Sequence, residues 1–196
     1  AVLDCDGFNV PLHGKSFAAP QVTPDYLAPE FQGGAVSTPL HQDSFALSVI
    51  IFRLINFGLH PYQAIAIDPR APTDLEGKIS QGLYAYAQTG HALIRPLPVS
   101  AHEHFPEEIR NCFDRAFGSL PERRPLASEW FGLLEKFAKP ALGLITQCAK
   151  GHLWFSGQAC GECYRDDVLA SKAKAVIPKP TVKNNWLPPR TKKPTQ

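Results

Sequence analysis

The chain has 196 residues, enough for one or two domains, and an apolar content of 44% that can build a packed core. Twenty Lys and Arg against 18 Asp and Glu leave a net charge of +2, a balance that singles out no charged partner. No apolar run reaches the roughly 20 residues a bilayer-spanning helix needs, and the opening apolar residues are too few for a signal peptide.

The charge is unevenly placed. From Asp166 to Gln196 there are seven basic and two acidic residues, a net of +5, which leaves residues 1–165 at −3. The sequence contains no Met and opens Ala-Val-Leu-Asp-Cys-Asp-Gly, so it reads as a fragment, a processed chain or a trimmed one. Of the five cysteines, Cys148, Cys160 and Cys163 fall close together with His152 among them. That spacing is metal arithmetic rather than a disulfide ladder, and it implies a reducing, cytoplasmic location.

In chain order, Ala1–Val10 reads as a short strand leading into the acidic turn Asp4-Cys5-Asp6-Gly7. Two carboxylates one residue apart at a strand end suit a hard cation such as Mg²⁺, and an ordinary Asp-Gly turn fits the same residues. Pro11–Gln21 reads as loop. Pro24 and Pro29 exclude a long helix over Thr23–Glu30, and Glu30 opens a short one through Phe31. Residues 43–57 form the most apolar run. Phe45, Leu47, Val49, Ile50, Ile51, Phe52, Leu54, Ile55 and Phe57 point all round a helix, which predicts a buried core helix with Asp43 at its start and Gly58 as its stop. The run is long for the alternative, a buried strand. Thr73 with Glu76 forms a capping box for a helix over Thr73–Ala87. Gly90–Phe105 reads as Pro- and His-rich loop. Pro106-Glu107-Glu108 opens a helix with Ile109, Cys112, Phe113 and Ala116 inward and Gly118 at its end. Pro125–Ala138 is the next helix, with Trp130, Leu133, Leu134 and Phe137 inward and Pro140 beyond it.

Several of these stretches resemble the protein kinase family, in the family's own order. Thr23-Pro24-Asp25-Tyr26-Leu27-Ala28-Pro29-Glu30 is similar to the end of a kinase activation segment, which closes on Ala-Pro-Glu. Asp43-Ser44-Phe45-Ala46-Leu47-Ser48-Val49 resembles the Asp-x-Trp-Ser-Leu-Gly-Val start of the buried central helix of the large lobe. Gly58-Leu59-His60-Pro61-Tyr62 resembles the Gly-x-x-Pro-Phe that ends that helix, and Arg123-Arg124-Pro125-Leu126-Ala127 resembles the Arg-Pro-[Ser/Thr]-Ala that opens the last helix. The resemblance implies a mainly α fold: a kinase large-lobe (C-lobe) helical bundle over residues 1–140. It implies that Glu30 of Ala28-Pro29-Glu30 pairs with Arg124, that Asp43 holds the backbone of a catalytic loop, and that Thr23 faces a catalytic Asp. It also places Asp4 at the Mg²⁺-binding Asp of Asp-Phe-Gly. There the sequence departs from the family, with Cys5 at the Phe and Asp6 at the Gly, so Asp6 is a competing candidate. No stretch of the chain resembles the nucleotide-binding lobe or the catalytic loop that phosphoryl transfer requires. Mg²⁺ and ATP are therefore expected only for a longer protein, and these residues alone are expected to be inactive.

A second unit is expected over residues 141–165. Cys148, His152, Cys160 and Cys163 form the pattern Cys-x3-His-x7-Cys-x2-Cys. Three thiolates and one imidazole suit a closed tetrahedral Zn²⁺ site, that is, a structural zinc ribbon or knuckle in which Gly151 and Gly161 supply backbone freedom. Four protein ligands leave no open position for catalysis, and a redox Cys-x-x-Cys needs no upstream Cys-x3-His. Residues 166–196 read as a basic, Pro-rich, disordered tail in which Trp186-Leu187-Pro188-Pro189 is a candidate docking segment. Two functional readings follow: part of a bacterial-type Ser/Thr protein kinase with a protein substrate, or a pseudokinase scaffold whose ribbon recruits partners. The order of kinase segment and ribbon resembles kinases found beside a von Willebrand A-type protein and a PP2C-type phosphatase. Nucleic-acid binding, the third reading, lacks an aromatic–basic readout pattern.

Overall fold

The computed structural model describes residues 10–17, 23–32 and 39–176. Helices dominate, and the strands form three separate two-stranded antiparallel sheets. The mainly α class expected from the sequence is therefore the class observed.

The first sheet pairs β1 (Val10–Leu12) with β2 (Lys15–Phe17). A single 3-10 turn at Pro24–Tyr26 leads to α1 (Pro29–Gln32), a single helical turn opened by its own proline. Helix α2 (Pro39–Ile55) is the longest element of the body. It starts earlier than expected, because Pro39 serves as an early helical residue, and Asp43 lies inside it rather than at its cap. Its end also differs. Phe57 takes the left-handed conformation at φ 55°, Gly58 follows at φ 80°, and the Gly58 N–H reaches back to the Arg53 carbonyl at 2.7 Å. This closing turn satisfies a helix-terminal carbonyl that would otherwise lack a partner.

The sequence reading buried α2 on every side. The structure buries one face, formed by Ser44, Phe45, Ser48, Val49, Ile51 and Phe52. Ile50 and Leu54 remain 45% and 76% exposed. The buried face meets α4 (Glu107–Ala116) and α5 (Ala127–Ala138). Phe52 packs edge-on against Phe113 of α4 with centroids 4.9 Å apart, and Phe113 meets Trp130 of α5 at 5.0 Å. Trp130 donates its indole N–H to Ser48 at 3.0 Å, so a buried serine on α2 ties the two helices by a polar bond as well. Tyr62, Tyr84 and Phe117 complete an aromatic core around Phe52 and Phe45.

Strands β3 (Ala64–Ala66) and β4 (Ile94–Pro96) pair in the register Ala64↔Pro96, Ile65↔Arg95 and Ala66↔Ile94. This small sheet lies partly inside the segment read as loop. Between the strands, α3 spans only Leu75–Ser80 instead of the expected Thr73–Ala87. Asp74, not Thr73, is its cap, accepting the Gly77 N–H at 2.7 Å. Gly82 at φ 63° then turns the chain out of the helix, and Leu83–Tyr86 are buried in irregular structure. The helical spacing of Leu75, Ile79 and Leu83 is satisfied by burial without a continuous helix. Helix α4 follows the expectation closely, with Ile109, Cys112, Phe113 and Ala116 buried. Helix α5 ends ahead of the 3-10 turn Pro140–Leu142.

The last elements are β5 (Ile145–Gln147), β6 (Leu153–Phe155) and α6 (Gly161–Val176). Helix α6 corrects the expected tail boundary at residue 165: the chain stays helical through Val176. Asp166–Val176 contains three Ala and two Lys, which are good helix formers, and neither Gly nor Pro. The segment around Trp186 lies outside the described residues. No helix of the structure is long and apolar enough to cross a membrane, among the described residues.

Candidate functional site

Two features carry the chemistry. The first is a Cys/His cluster. The β5–β6 hairpin brings Cys148 and His152 together across a tight turn: the Cys148 N–H donates to the His152 carbonyl at 2.9 Å, and the Gly151 N–H to the Cys148 carbonyl at 2.9 Å. Gly151 needs its φ of 89° for that turn, as the sequence implied. Cys160 precedes α6 and Cys163 lies in its first turn. The four ligand atoms all lie within 4.8 Å of one another. Cys148 Sγ and Cys163 Sγ are 3.7 Å apart, and His152 Nδ1 lies 3.4 Å from Cys163 Sγ and 3.7 Å from Cys160 Sγ.

These distances test the donor set against an ion. Zn–S and Zn–N bonds of about 2.3 and 2.0 Å in a tetrahedron place the donors roughly 3.5–3.8 Å apart. The three shortest spacings, 3.4–3.7 Å, fall at these values and the whole set stays within 4.8 Å, so the group is compatible with one four-coordinate Zn²⁺. The electrostatics agree. Desolvation, then the hydrogen bonds and charges of Cys160 and Cys148, push the Cys163 thiol up to about 11. Cys148 is drawn down to about 7: desolvation is the largest effect and opposes this, but the N–H groups of Lys150 and His152, with Cys163 and Cys160, outweigh it. Thiolates this close repel each other, and a divalent cation removes the repulsion. The other imidazole nitrogen, His152 Nε2, faces the Glu162 carboxylate at 3.6 Å, beyond hydrogen-bond distance. Glu162 was not singled out in the sequence, although its place between Cys160 and Cys163 was the available signal.

The cluster is seated on the helical body. Trp154 is buried, stacks on Phe57 at 6.0 Å, meets Phe105 at 5.9 Å and donates its N–H to the His104 carbonyl at 3.1 Å. Phe155 meets Phe137 of α5 at 5.2 Å. Gly161 proves essential for a reason other than backbone freedom: a Cβ there would lie 2.2 Å from the Trp154 ring and 2.6 Å from Ala101.

The second feature is a buried ion pair that joins residues 94 positions apart. Arg124 donates to both Glu30 oxygens, at 2.5 and 2.8 Å, with the Arg124 side chain 2% and the Glu30 side chain 16% exposed. Two further Arg124 donors reach the carbonyls of Ala116 and His41, each at 3.1 Å, and the guanidinium lies over Phe45 at 5.2 Å. The Glu30 carboxyl is held below its usual range. Burial is the largest effect and acts upward, but the Arg124 hydrogen bonds and charge prevail.

The segment around Ala28-Pro29-Glu30 is clamped further. Ala28 is fully buried, and its N–H donates to Gln42 Oε1 at 2.8 Å. Gln42 Nε2 donates to the Tyr26 carbonyl at 2.7 Å, so one α2 side chain makes both bonds. His60 is buried with Nε2 at 2.8 Å from the Asp25 carbonyl, and Arg53 bonds the Tyr26 hydroxyl. The sequence reading missed Gln42, and no local signal marked it. Asp43, its neighbour, is exposed on α2. Pro29 is half-buried at the start of α1. Thr23 is exposed, and its carbonyl accepts the Tyr26 N–H at 2.9 Å. Asp4 and Asp6 lie outside the described residues.

Comparison with known proteins finds relatives that are named as kinases. Protein kinase YegI of Escherichia coli (strain K12) is 27% identical over 143 residues, 68% of this chain. Protein kinase YegI of Escherichia coli O157:H7 matches at the same 27% over 143 residues. The match covers 22% of each of those proteins, so the chain spans about a fifth of the length of the curated relatives it matches. No family model matches the chain. The similarity is to proteins named as kinases and supports a kinase-like relationship.

Proposed function

We propose that the chain is the large-lobe (C-lobe) part of a Ser/Thr protein kinase, residues 1–140, carrying a structural zinc ribbon at 141–165 and a basic tail beyond it. The observation that carries the reading is the bidentate Arg124–Glu30 pair. It connects two segments that the kinase resemblance singles out, in a chain whose similarity is to proteins named as kinases. In the longer protein, ATP and Mg²⁺ are the cofactors, and Asp4, or Asp6, is the residue expected to hold Mg²⁺. Thr23 and Asp43 face the catalytic loop supplied from elsewhere. Phosphoryl transfer then relies on positioning and charge stabilisation, and the Arg124–Glu30 pair contributes by fixing the segment that receives the protein substrate.

The zinc ribbon supplies folding energy rather than a reactive ion, because Cys148, His152, Cys160 and Cys163 leave no coordination position open. Its role is partner binding in the cytoplasm, and a von Willebrand A-type protein and a PP2C-type phosphatase are the partner classes proposed.

The test uses a protein that contains this chain together with a nucleotide-binding lobe and catalytic loop. Calorimetry should detect ATP·Mg²⁺, and phosphate should pass to a protein substrate. Absence of both in a folded, zinc-loaded protein would replace the enzyme reading with a pseudokinase scaffold. Metal analysis of the present chain should find about one equivalent of zinc, lost in the C160S/C163S variant. A metal-free chain with a folded ribbon would overturn the zinc assignment.

A further inference from the structure

A cavity of about 790 Å³ opens beside α4 and extends to Tyr164, the residue after Cys163 on α6. Its volume falls within the roughly 300–1,000 Å³ of small-molecule sites. Three parts of the molecule enclose it: the segment leading into β4 with the strand itself, α4 through Arg110, and α6 through Tyr164. The walls carry flat groups in Tyr86, His102 and Tyr164. Tyr164 is held there by its edge-on contact with His104, with centroids 4.7 Å apart.

The charged lining is unbalanced. Arg95 and Arg110 face the cavity against a single carboxylate, Glu103. Neither arginine joins an ion pair among the described residues. Arg110 Nε is buried and has no hydrogen-bond partner among the described residues. A guanidinium donor withdrawn from water without an acceptor is destabilising, and an acceptor brought by a ligand removes that cost. Asp114, one turn along α4, is engaged through Oδ2 alone, by Gln88, whose N–H and Nε2 reach it at 3.4 and 3.1 Å. Its Oδ1 is buried with no hydrogen-bond partner among the described residues, and the charge of Arg110 acts on this carboxyl without a hydrogen bond between the two. His102 adds no positive charge at neutral pH. Burial and, after it, the charge of Arg110 hold its pKa down at about 3, and its Nε2 is already 3.2 Å from the Tyr84 hydroxyl.

We propose that this cavity binds a small organic anion with a flat body, its phosphate or carboxylate gripped by the Arg110 fork, Arg95 at the mouth, and its body against the wall that Tyr86, His102 and Tyr164 form. The planar guanidinium pairs bidentately with either head group, and aromatic walls suit a ring. The site is separate from the kinase reading and stands or falls without it.

The test is titration of the whole isotope-labelled chain, with its Cys/His unit intact, by phenyl phosphate, benzoate and inorganic phosphate. The backbone amides of Arg110, His102 and Tyr164 should shift saturably with the ring-bearing anions and bind inorganic phosphate more weakly. Tighter binding of phenyl phosphate than benzoate assigns a phosphate ligand, and the reverse order a carboxylate. Arg110→Gln should weaken binding by about tenfold or more, and Arg95→Gln by about threefold. Arg70→Gln, which removes an exposed arginine paired with Asp68, should leave binding unchanged. If Arg110→Gln disturbs the amide spectrum of the free protein, the exposed Arg95→Gln variant decides. The proposal is overturned if none of the anions gives saturable shifts in the millimolar range, or if Arg70→Gln weakens binding as much as the cavity variants. It is also overturned if Arg110 proves to serve Asp114: no anion bound, and Arg110→Gln and Asp114→Asn equally destabilising with a double variant no worse than either.

Discussion

Each nitrogen of the Arg124 guanidinium has an acceptor, with two oxygens from Glu30 and one carbonyl each from Ala116 and His41. Removing Glu30 leaves a buried charge with only carbonyl partners, so Glu30→Ala should cost about 3 kcal/mol, the low end for a buried pair because Glu30 keeps some solvent contact. Arg124→Ala should cost as much or more. In urea unfolding the double variant should fall well short of the sum of the singles; additive losses would mean that the two side chains do not act as a pair. The same pair sets one window of acid sensitivity. The folded-state pKa of Glu30 is depressed, so its contribution is complete above the ordinary carboxylate pKa of about 4.3 and is lost as pH falls through the lower folded value. His102 acts in a different window. Its folded pKa is also depressed, to about 3, so the unfolded chain takes up a proton below about 6.5 that the folded chain refuses. Stability should therefore decline from about pH 6.5 downward, with His102 contributing a slope of up to about 1.4 kcal/mol per pH unit. His102→Phe should flatten the unfolding free energy measured between pH 6 and 4; an unchanged slope would show that this imidazole is not held neutral.

At the scale of elements, the contact between α6 and the β5–β6 hairpin is the most sterically demanding. Gly161 meets the Trp154 ring and Ala101 with no room for a methyl group. Gly161→Ala should destabilise the chain by about 1–3 kcal/mol by overpacking, read as a lower thermal midpoint, even though alanine is the better helix former. A raised midpoint would mean the indole moves aside freely. This contact also marks where sequence reading stops. The glycine was legible as a special position, but the tryptophan that constrains it lies across the hairpin. Helices α4 and α5 were legible because their apolar residues keep a helical period and their ends carry Pro and Gly punctuation. Helix α3 was overextended because Leu83 continued the period while Gly82 broke the backbone, and the β3–β4 sheet escaped notice because three-residue strands are too short to show alternation. In the site, the four metal-type ligands were legible from spacing alone. Gln42 was not: its two bonds go to backbone atoms of Tyr26 and Ala28, which no side-chain pattern records.

At the scale of the whole molecule, the body and the Cys/His unit share an apolar seam. Phe57 at the end of α2, Phe105 before α4 and Phe137 in α5 all meet Trp154 or Phe155. Arg165 of α6 covers the ring of Phe57 from 4.9 Å. A hairpin this short cannot hold Trp154 in place by its own backbone bonds, since an isolated two-stranded hairpin is marginal in water. The ion expected at Cys148, His152, Cys160 and Cys163 would fix it, and structural zinc sites of this kind contribute about 10–16 kcal/mol of apparent binding free energy. Metal removal by a strong chelator should therefore destabilise the helical body as well as the hairpin, lowering the main thermal transition rather than producing a separate small one. Trp154→Ala should reproduce the shift with the metal retained, at about 3–5 kcal/mol, the cost of emptying a large buried aromatic site. If chelation leaves the main transition where it was while Trp154→Ala lowers it, the indole holds its place on the body without the ion. If neither treatment moves it, the seam carries no coupling, and the unit is an appendage on an independently stable helical core.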